Sequence, residues 1–193
     1  MTVRAGIIGV QGDVSEHASA IEQAANTHGE DVAVTTIRRS GIVPECDVLA
    51  LPGGESTTIS RLLDREGIDT EIVTHVEAGK PLLATCAGLI VVARTVDDDR
   101  VNNLGLLDVE IERNVFGRQR DSFEASIPIK GLDQPFPSVF IRAPAIIDVG
   151  DDVEVLATID DRILAVREEP ILGTAFHPEL TSSSAIHHLA FFS

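Results

Sequence analysis

The sequence predicts an α/β fold: one domain over residues 1–193, built on an open, mainly parallel sheet with helices on both faces and an antiparallel extension. Three observations predict it. Apolar, β-branched runs of strand length alternate with segments of helical period through the first half of the chain. Glycine or proline follows several of these runs, where a parallel strand must turn into its crossover. The second half changes rhythm and reads as short strands joined by turns.

Val3 to Val10 is an apolar run closed by Gln11-Gly12, a buried strand and its turn. From Asp13, the positions Val14, Ala18, Ile21 and Ala25 follow helical spacing, and the helix stops between Asn26 and Gly29. Strand character returns from Asp31 to Ile37 and from Asp47 to Leu51, the latter ended by Pro52-Gly53-Gly54. A helix follows from Ser56 to Arg65, with Ser56 or Thr57 as its N-cap. Ile72 to Ala78 reads as helix, Gly79-Lys80-Pro81 stops it, and Leu82 to Thr85 is a short buried strand. After a helical stretch beyond Cys86, strands are expected at Leu106–Asn114, Ser122–Ile129, Ser138–Ile141, Val153–Ile159, Ile163–Arg167 and Ile171–Ala175. Asp160-Asp161 is a hairpin tip, and a last helix spans Ser182 to Phe192.

Charge narrows the function classes. The net charge is −16, with no basic run to neutralise phosphates, so nucleic acid and anionic membranes are excluded as partners. No apolar stretch reaches the ~20 residues of a membrane span. Met1-Thr2-Val3-Arg4 leads into a strand rather than a signal peptide, so a cytoplasmic location is expected. Thirteen of the 15 basic residues are arginine, and acid concentrates in stretches such as Asp97-Asp98-Asp99. Such a surface suits a salt-rich cytoplasm, where self-repulsion is screened. Two cysteines make neither a disulfide framework nor a metal-binding pair. Cys46, just ahead of a strand, reads as structural.

The other cysteine lies in Leu82-Leu83-Ala84-Thr85-Cys86-Ala87-Gly88, where an apolar run meets small residues and then a helix. A nucleophile on a tight strand-to-helix turn needs this pattern, because the thiol then faces the first free N–H groups of the helix. Alone, the stretch is equally compatible with a packed structural thiol. Gly53-Gly54-Glu55-Ser56-Thr57 also joins a strand end to a helix start, and adjacent glycines can aim backbone N–H groups at an anion or oxyanion. A plain tight connection has the same look, and no Lys-Ser/Thr follows to make a Walker loop. His177-Pro178-Glu179, after the run ending at Phe176, offers a base and the carboxylate to orient it. The remaining histidines, His17, His28, His75, His187 and His188, read as surface or packing residues, and no metal or cofactor is expected. Arg113 and Arg142 are guanidinium partners for a substrate carboxylate or ordinary surface charges; spacing does not decide.

Taken together, Leu51-Pro52-Gly53-Gly54-Glu55-Ser56-Thr57, Thr85-Cys86-Ala87-Gly88 and Phe176-His177-Pro178-Glu179-Leu180 resemble class I, triad-type glutamine amidotransferases. Glu112-Arg113-Asn114-Val115-Phe116-Gly117-Arg118-Gln119, Asp121-Ser122-Phe123-Glu124 and Val139-Phe140-Ile141-Arg142-Ala143-Pro144 narrow the match. With Gln11-Gly12 and Glu16-His17, the chain resembles the glutaminase subunits of pyridoxal 5′-phosphate synthases over nearly its whole length. The resemblance implies a flavodoxin-like sheet and a Cys86–His177–Glu179 triad acting on L-glutamine. It implies oxyanion donors at Gly53, Gly54 and Ala87, and glutamine contacts at Gly54, Glu55, Ser56, Arg113, Ile141 and Arg142. Ammonia would pass to a separate synthase subunit docking near Gln11-Gly12 and the first helix. Pyridoxal phosphate would be the product of that complex and not a cofactor of this chain. Other readings are an amidotransferase serving a different synthase, a cysteine hydrolase or chaperone-like protein on the same sheet, and a non-catalytic binding module.

Overall fold

A computed structural model describes residues 2–113 and 122–193. The first half alternates as its apolar pattern requires: β1 (Val3–Ile8), α1 (Val14–His28), β2 (Val32–Ile37), β3 (Val48–Leu51), α2 (Ser56–Glu66), α3 (Ile68–Glu77), β4 (Leu82–Thr85) and α4 (Ala87–Val92). The second half is strand-rich: β5 (Ala93–Val96), β6 (Leu107–Glu112), β7 (Ser122–Ile127), β8 (Phe136–Ile141), β9 (Ala145–Val149), β10 (Glu154–Ile159), β11 (Arg162–Glu168) and β12 (Ile171–Thr174). Helix α5 (Ala185–Phe191) follows a 3₁₀ turn at Pro178–Leu180.

The main sheet runs β2-β1-β3-β4-β12-β11-β9-β6-β5, with β10 paired to β11. Strands β2, β1, β3, β4 and β12 are all parallel, in the order of a flavodoxin-like sheet. From β12 onward the β11, β9 and β6 pairings are antiparallel, which is the expected extension. Strands β7 and β8 form a separate hairpin in which Phe123 stacks on Phe140.

Alternation along β3 shows why these strands are apolar at every position. Leu49 and Leu51 pack with Ile59 and Leu63 of α2 and Ile72 of α3. Val48 and Ala50 point the other way and join Ala5, Ile7 and Ile21 beneath α1, with Phe191 of α5 against them. Both faces are therefore covered, and each buried Leu or Ile contributes about 1.5–3 kcal/mol. Among the described residues, no helix is long and apolar enough to cross a membrane.

Several boundaries differ from the sequence expectation. Helix α3 starts at Ile68 rather than Ile72, because Gly67 (φ 67°) closes α2 and opens α3 in a single left-handed step. Strand β5 was not expected: it leaves α4 at Ala93 with no glycine or proline to mark the change. Nor was β9, a short strand buried only at its first two residues. Strand β7 ends at Ile127 rather than Ile129, β8 begins at Phe136 rather than Ser138, and α5 begins at Ala185 rather than Ser182. The Asp160-Asp161 tip is observed, with φ 47° and 63° as a two-residue hairpin turn demands. Residues 114–121, which carry the Asn114 strand end and most of the Arg113-to-Gln119 string, lie outside the described residues.

Candidate active site

Parallel strands deliver their carboxyl ends to one edge, and the chain places its reactive residues there. Beyond β1 stand Gln11, Gly12 and Asp13; beyond β3, Gly53 and Gly54; at the end of β4, Cys86; beyond β12, His177. All of these but Gln11 line a cleft of about 310 Å³. Every residue expected at the site lines this cleft except Glu179, which stands behind His177.

Cys86 is locked into its turn at both ends. Its N–H donates to the Thr174 carbonyl (2.8 Å) and its carbonyl accepts from the Ile90 N–H (3.2 Å). The result is φ 49° and ψ −106°, a conformation that side-chain-bearing residues rarely hold, as in a nucleophile elbow. The thiol lies 3.9 Å from the Ile141 carbonyl, which the β8 end carries over the cleft. That end is fixed in turn, because the His177 N–H donates to the Val139 carbonyl (2.8 Å).

His177 Nδ1 is 2.7 Å from Glu179 Oε1, and the Cys86 side chain interacts with the same ring. Burial alone would lower the His177 pKa. The hydrogen bonds with Cys86 and Glu179, reinforced by their charge, outweigh it and push the value up to about 10. His177 is therefore held as the imidazolium beside the Cys86 side chain. Gly53 leaves room for this contact: a Cβ there would come within 2.6 Å of His177 Cε1 and 3.2 Å of Cys86 Cβ. Gly54 has φ 146°, a conformation only glycine holds without strain.

The rim is committed to internal partners. Helix α2 is capped by Glu55, not by Ser56 or Thr57. Its carboxylate accepts from the N–H groups of Thr57 (3.2 Å) and Thr58 (2.7 Å), and the hydroxyl of Thr58 adds a third bond at 2.7 Å. Burial raises the Glu55 pKa, but these bonds prevail and pull it down to about 2. The Glu55 N–H donates to Gln11 Oε1 (2.7 Å). Arg113 bonds to Asp98 and reaches Glu55 at 3.4 Å. Arg142 is exposed at φ 44°. Ser56 is 2% exposed, and its hydroxyl has no hydrogen-bond partner among the described residues.

Of the histidines read as surface or packing, two are packed beside the triad residues. His17 and His187 are fully buried. His17 Nε2 lies 3.4 Å from Glu179 Oε2, and its Nδ1 lies 2.9 Å from His187 Nε2. The signal was present in the sequence, since helical spacing puts His17 on the buried stripe with Ile21 and Ala24. His75 is also buried, with a ring nitrogen 3.1 Å from the Pro81 carbonyl. Asp13, His177 and Glu179 bring donor atoms within 4.8 Å of one another, but the His177 and Glu179 atoms already face each other. Cys46 is buried away from the cleft, as expected of a structural thiol, and burial pushes its pKa up.

Comparison with known proteins agrees with this geometry. A sequence profile of the SNO glutamine amidotransferase family matches residues 7–192. A protein of Halorubrum lacusprofundi named pyridoxal 5′-phosphate synthase subunit PdxT is 65% identical, over 98% of this chain and 96% of its own. The protein of the same name in Haloarcula marismortui is 65% identical, over 100% of this chain and 98% of its own. A crystal structure described as a glutamine amidotransferase superposes with a TM-score of 0.86 at 38% identity, covering 96% of each chain. A Thermotoga maritima glutamine amidotransferase shares the fold at a TM-score of 0.62 and 13% identity, covering 96% of this chain and 80% of its own.

Proposed function

Because the chain belongs to the SNO glutamine amidotransferase family, we propose that it hydrolyses L-glutamine to L-glutamate and ammonia as the glutaminase subunit of a pyridoxal 5′-phosphate synthase. Cys86 is the nucleophile, His177 the acid and base, and Glu179 the carboxylate that orients it. The ammonia goes to the synthase subunit, and the chain works in the cytoplasm as one glutaminase domain over residues 1–193.

One observation carries the reading: a thiol on a strained strand-to-helix turn stands beside an imidazole whose Nδ1 is 2.7 Å from a buried carboxylate. The thiolate attacks the carboxamide carbon of glutamine, and the carbonyl oxygen takes the negative charge. The N–H of Ala87, with those of Gly53 and Gly54, receives that oxyanion. Since His177 Nδ1 faces Glu179, the proton given to the departing amine comes from Nε2. Ammonia leaves, a glutamyl thioester remains, and water attacks it as His177 Nε2 takes a proton back. Glutamate then departs and the thiolate is restored.

The rim supplies recognition. The buried Ser56 hydroxyl lacks a partner among the described residues, an omission worth about 1–3 kcal/mol that a polar atom of glutamine removes. Arg142 on the exposed lip and Arg113 beside Glu55 offer charge to the α-carboxylate, and Ile141 and the Gly54–Glu55 backbone complete the contacts. Glutamate release from glutamine, measured with the synthase subunit present, tests the reading. Wild type should turn over and Cys86→Ala should not; retained activity in Cys86→Ala would falsify the nucleophile assignment.

A further inference from the structure

The hydrolysis uses neither His17 nor His187, yet both imidazoles are fully buried, His17 beside Glu179 and His187 behind His17. Burying polar rings is unfavourable unless their nitrogens are satisfied. His17, on α1, has Nε2 3.4 Å from Glu179 Oε2 and 3.4 Å from Thr85 Oγ1, and Nδ1 2.9 Å from His187 Nε2 on α5. Glu179 Oε2 and His187 Nδ1 have no hydrogen-bond partner among the described residues.

These contacts permit one comfortable distribution of protons. Burial holds both rings neutral: it lowers the His17 pKa, helped by His187 and His177, and pulls His187 down to about 3. Each ring then carries a single proton. With its proton on Nδ1, His17 would donate to His187 and accept from the Thr85 hydroxyl, but the His187 proton would sit on an Nδ1 with no partner among the described residues, and Glu179 Oε2 would face a lone pair. With its proton on Nε2, His17 donates to Glu179 and accepts from His187 Nε2–H, and the nitrogen left bare is a lone pair rather than a stranded donor.

We propose that His17 is a positioning residue of the glutaminase reaction, its Nε2–H holding the second oxygen of Glu179 while His187 fixes its tautomer. Five side chains then form a directed chain from α5 to the thiol: His187, His17, Glu179, His177 and Cys86. The role rests on the reading of the triad given above. The groups facing the Glu179–His177 pair are His17 from α1, Thr85 from β4, Cys86 from the elbow and Asp13 from the loop before α1, whose carboxylate lies within 4.8 Å. Of these, His17 brings its Nε2 to 3.4 Å from Glu179 Oε2. Removing it leaves a buried carboxylate oxygen without a donor. The Glu179 charge is then less stable, so the His177 imidazolium and the Cys86 thiolate are less stable too.

The experiment combines the rate of Cys86 alkylation by iodoacetamide across pH, which needs neither glutamine nor partner, with kcat and KM in the complex. For His17→Leu the alkylation midpoint should move upward by about one pH unit, with alkylation about tenfold slower below it. Its kcat should fall about tenfold or more, with KM within about twofold. His17→Gln, whose carboxamide N–H can reach Glu179, should recover most of both. Nitrogen-15 histidine spectra of the wild-type chain should show the Nε2–H tautomer at His17. An Nδ1–H tautomer there, a folded His17→Leu with the wild-type alkylation profile, or a His17→Gln no better than His17→Leu would each overturn the proposal. Should His17→Leu fail to fold, the wild-type tautomer decides. A shifted alkylation profile in a chain that never releases glutamate would refute the glutaminase reading, and with it the role in that reaction, while upholding the contact of His17 with Glu179.

Discussion

Behind Cys86, each proposed catalytic side chain is buried and faces the next, whereas around the mouth of the cleft the proposed recognition groups, the buried Ser56 apart, are exposed or bound to one another. His177 and Glu179 are 6% and 4% exposed and 2.7 Å apart. On the rim, Glu55 caps α2, Arg113 is held by Asp98 and Glu55, and Gln11 occupies the Glu55 N–H. The chemistry is therefore built into the fold, while recognition must exchange internal bonds for bonds to substrate. Changes behind the thiol should strike kcat, and changes on the rim should strike KM.

The largest effect should come from breaking the buried side. Glu179→Gln keeps the shape but removes the charge that stabilises the His177 imidazolium, and kcat should fall about 10³–10⁴-fold with KM little changed. Gly53→Ala should follow. The new Cβ meets His177 Cε1 at 2.6 Å, and displacing the base by a fraction of an ångström should cost about 10²-fold in kcat. Steady-state kinetics of the complex read both.

On the rim, Arg142→Ala should raise KM for glutamine about tenfold, the worth of a charged hydrogen bond in a partly wet site, and leave kcat nearly unchanged. A fall in kcat with constant KM would erase the distinction between the two regions.

The smallest effect concerns stability. The folded-state pKa of Glu55 is depressed from 4.5 to about 2, so its contribution is complete above 4.5 and is lost as pH falls toward 2. Loss of the cap in Glu55→Ala should cost about 0.5–2 kcal/mol at neutral pH. Melting curves of wild type and Glu55→Ala should converge as pH drops through that window. Opposite in sign, His177 is raised from 6.5 to about 10, so its stabilisation is present below 6.5 and fades as pH climbs to 10. Cys86→Ala, lacking the partner that does most to raise that pKa, should show a flatter decline over the same range. With a net charge of −16, the chain should also melt higher in multimolar KCl than in dilute buffer.

The parallel half of the sheet was legible because β3 and β4 are buried on both faces, so apolar content alone marks them. The meeting of Cys86 with His177 was legible because each follows such a strand. Strands β5 and β9 were not, since one runs straight out of a helix and the other is only half buried. The cap on α2 was misplaced because a glutamate with two threonines behind it does the work usually done by a shorter side chain. The His17–His187 contact joins residues 170 positions apart, and only the packing of α1 against α5 brings them together.

The central claim is that glutamine passes through a thioester on Cys86, and acid-quenched complex taken during turnover of isotopically labelled glutamine tests it most directly. Peptide mass spectrometry should find the glutamyl label on the peptide containing Cys86, removable by hydroxylamine and absent from Cys86→Ala. Label on Cys46, or glutamate release with no label on Cys86 at any time, would contradict it.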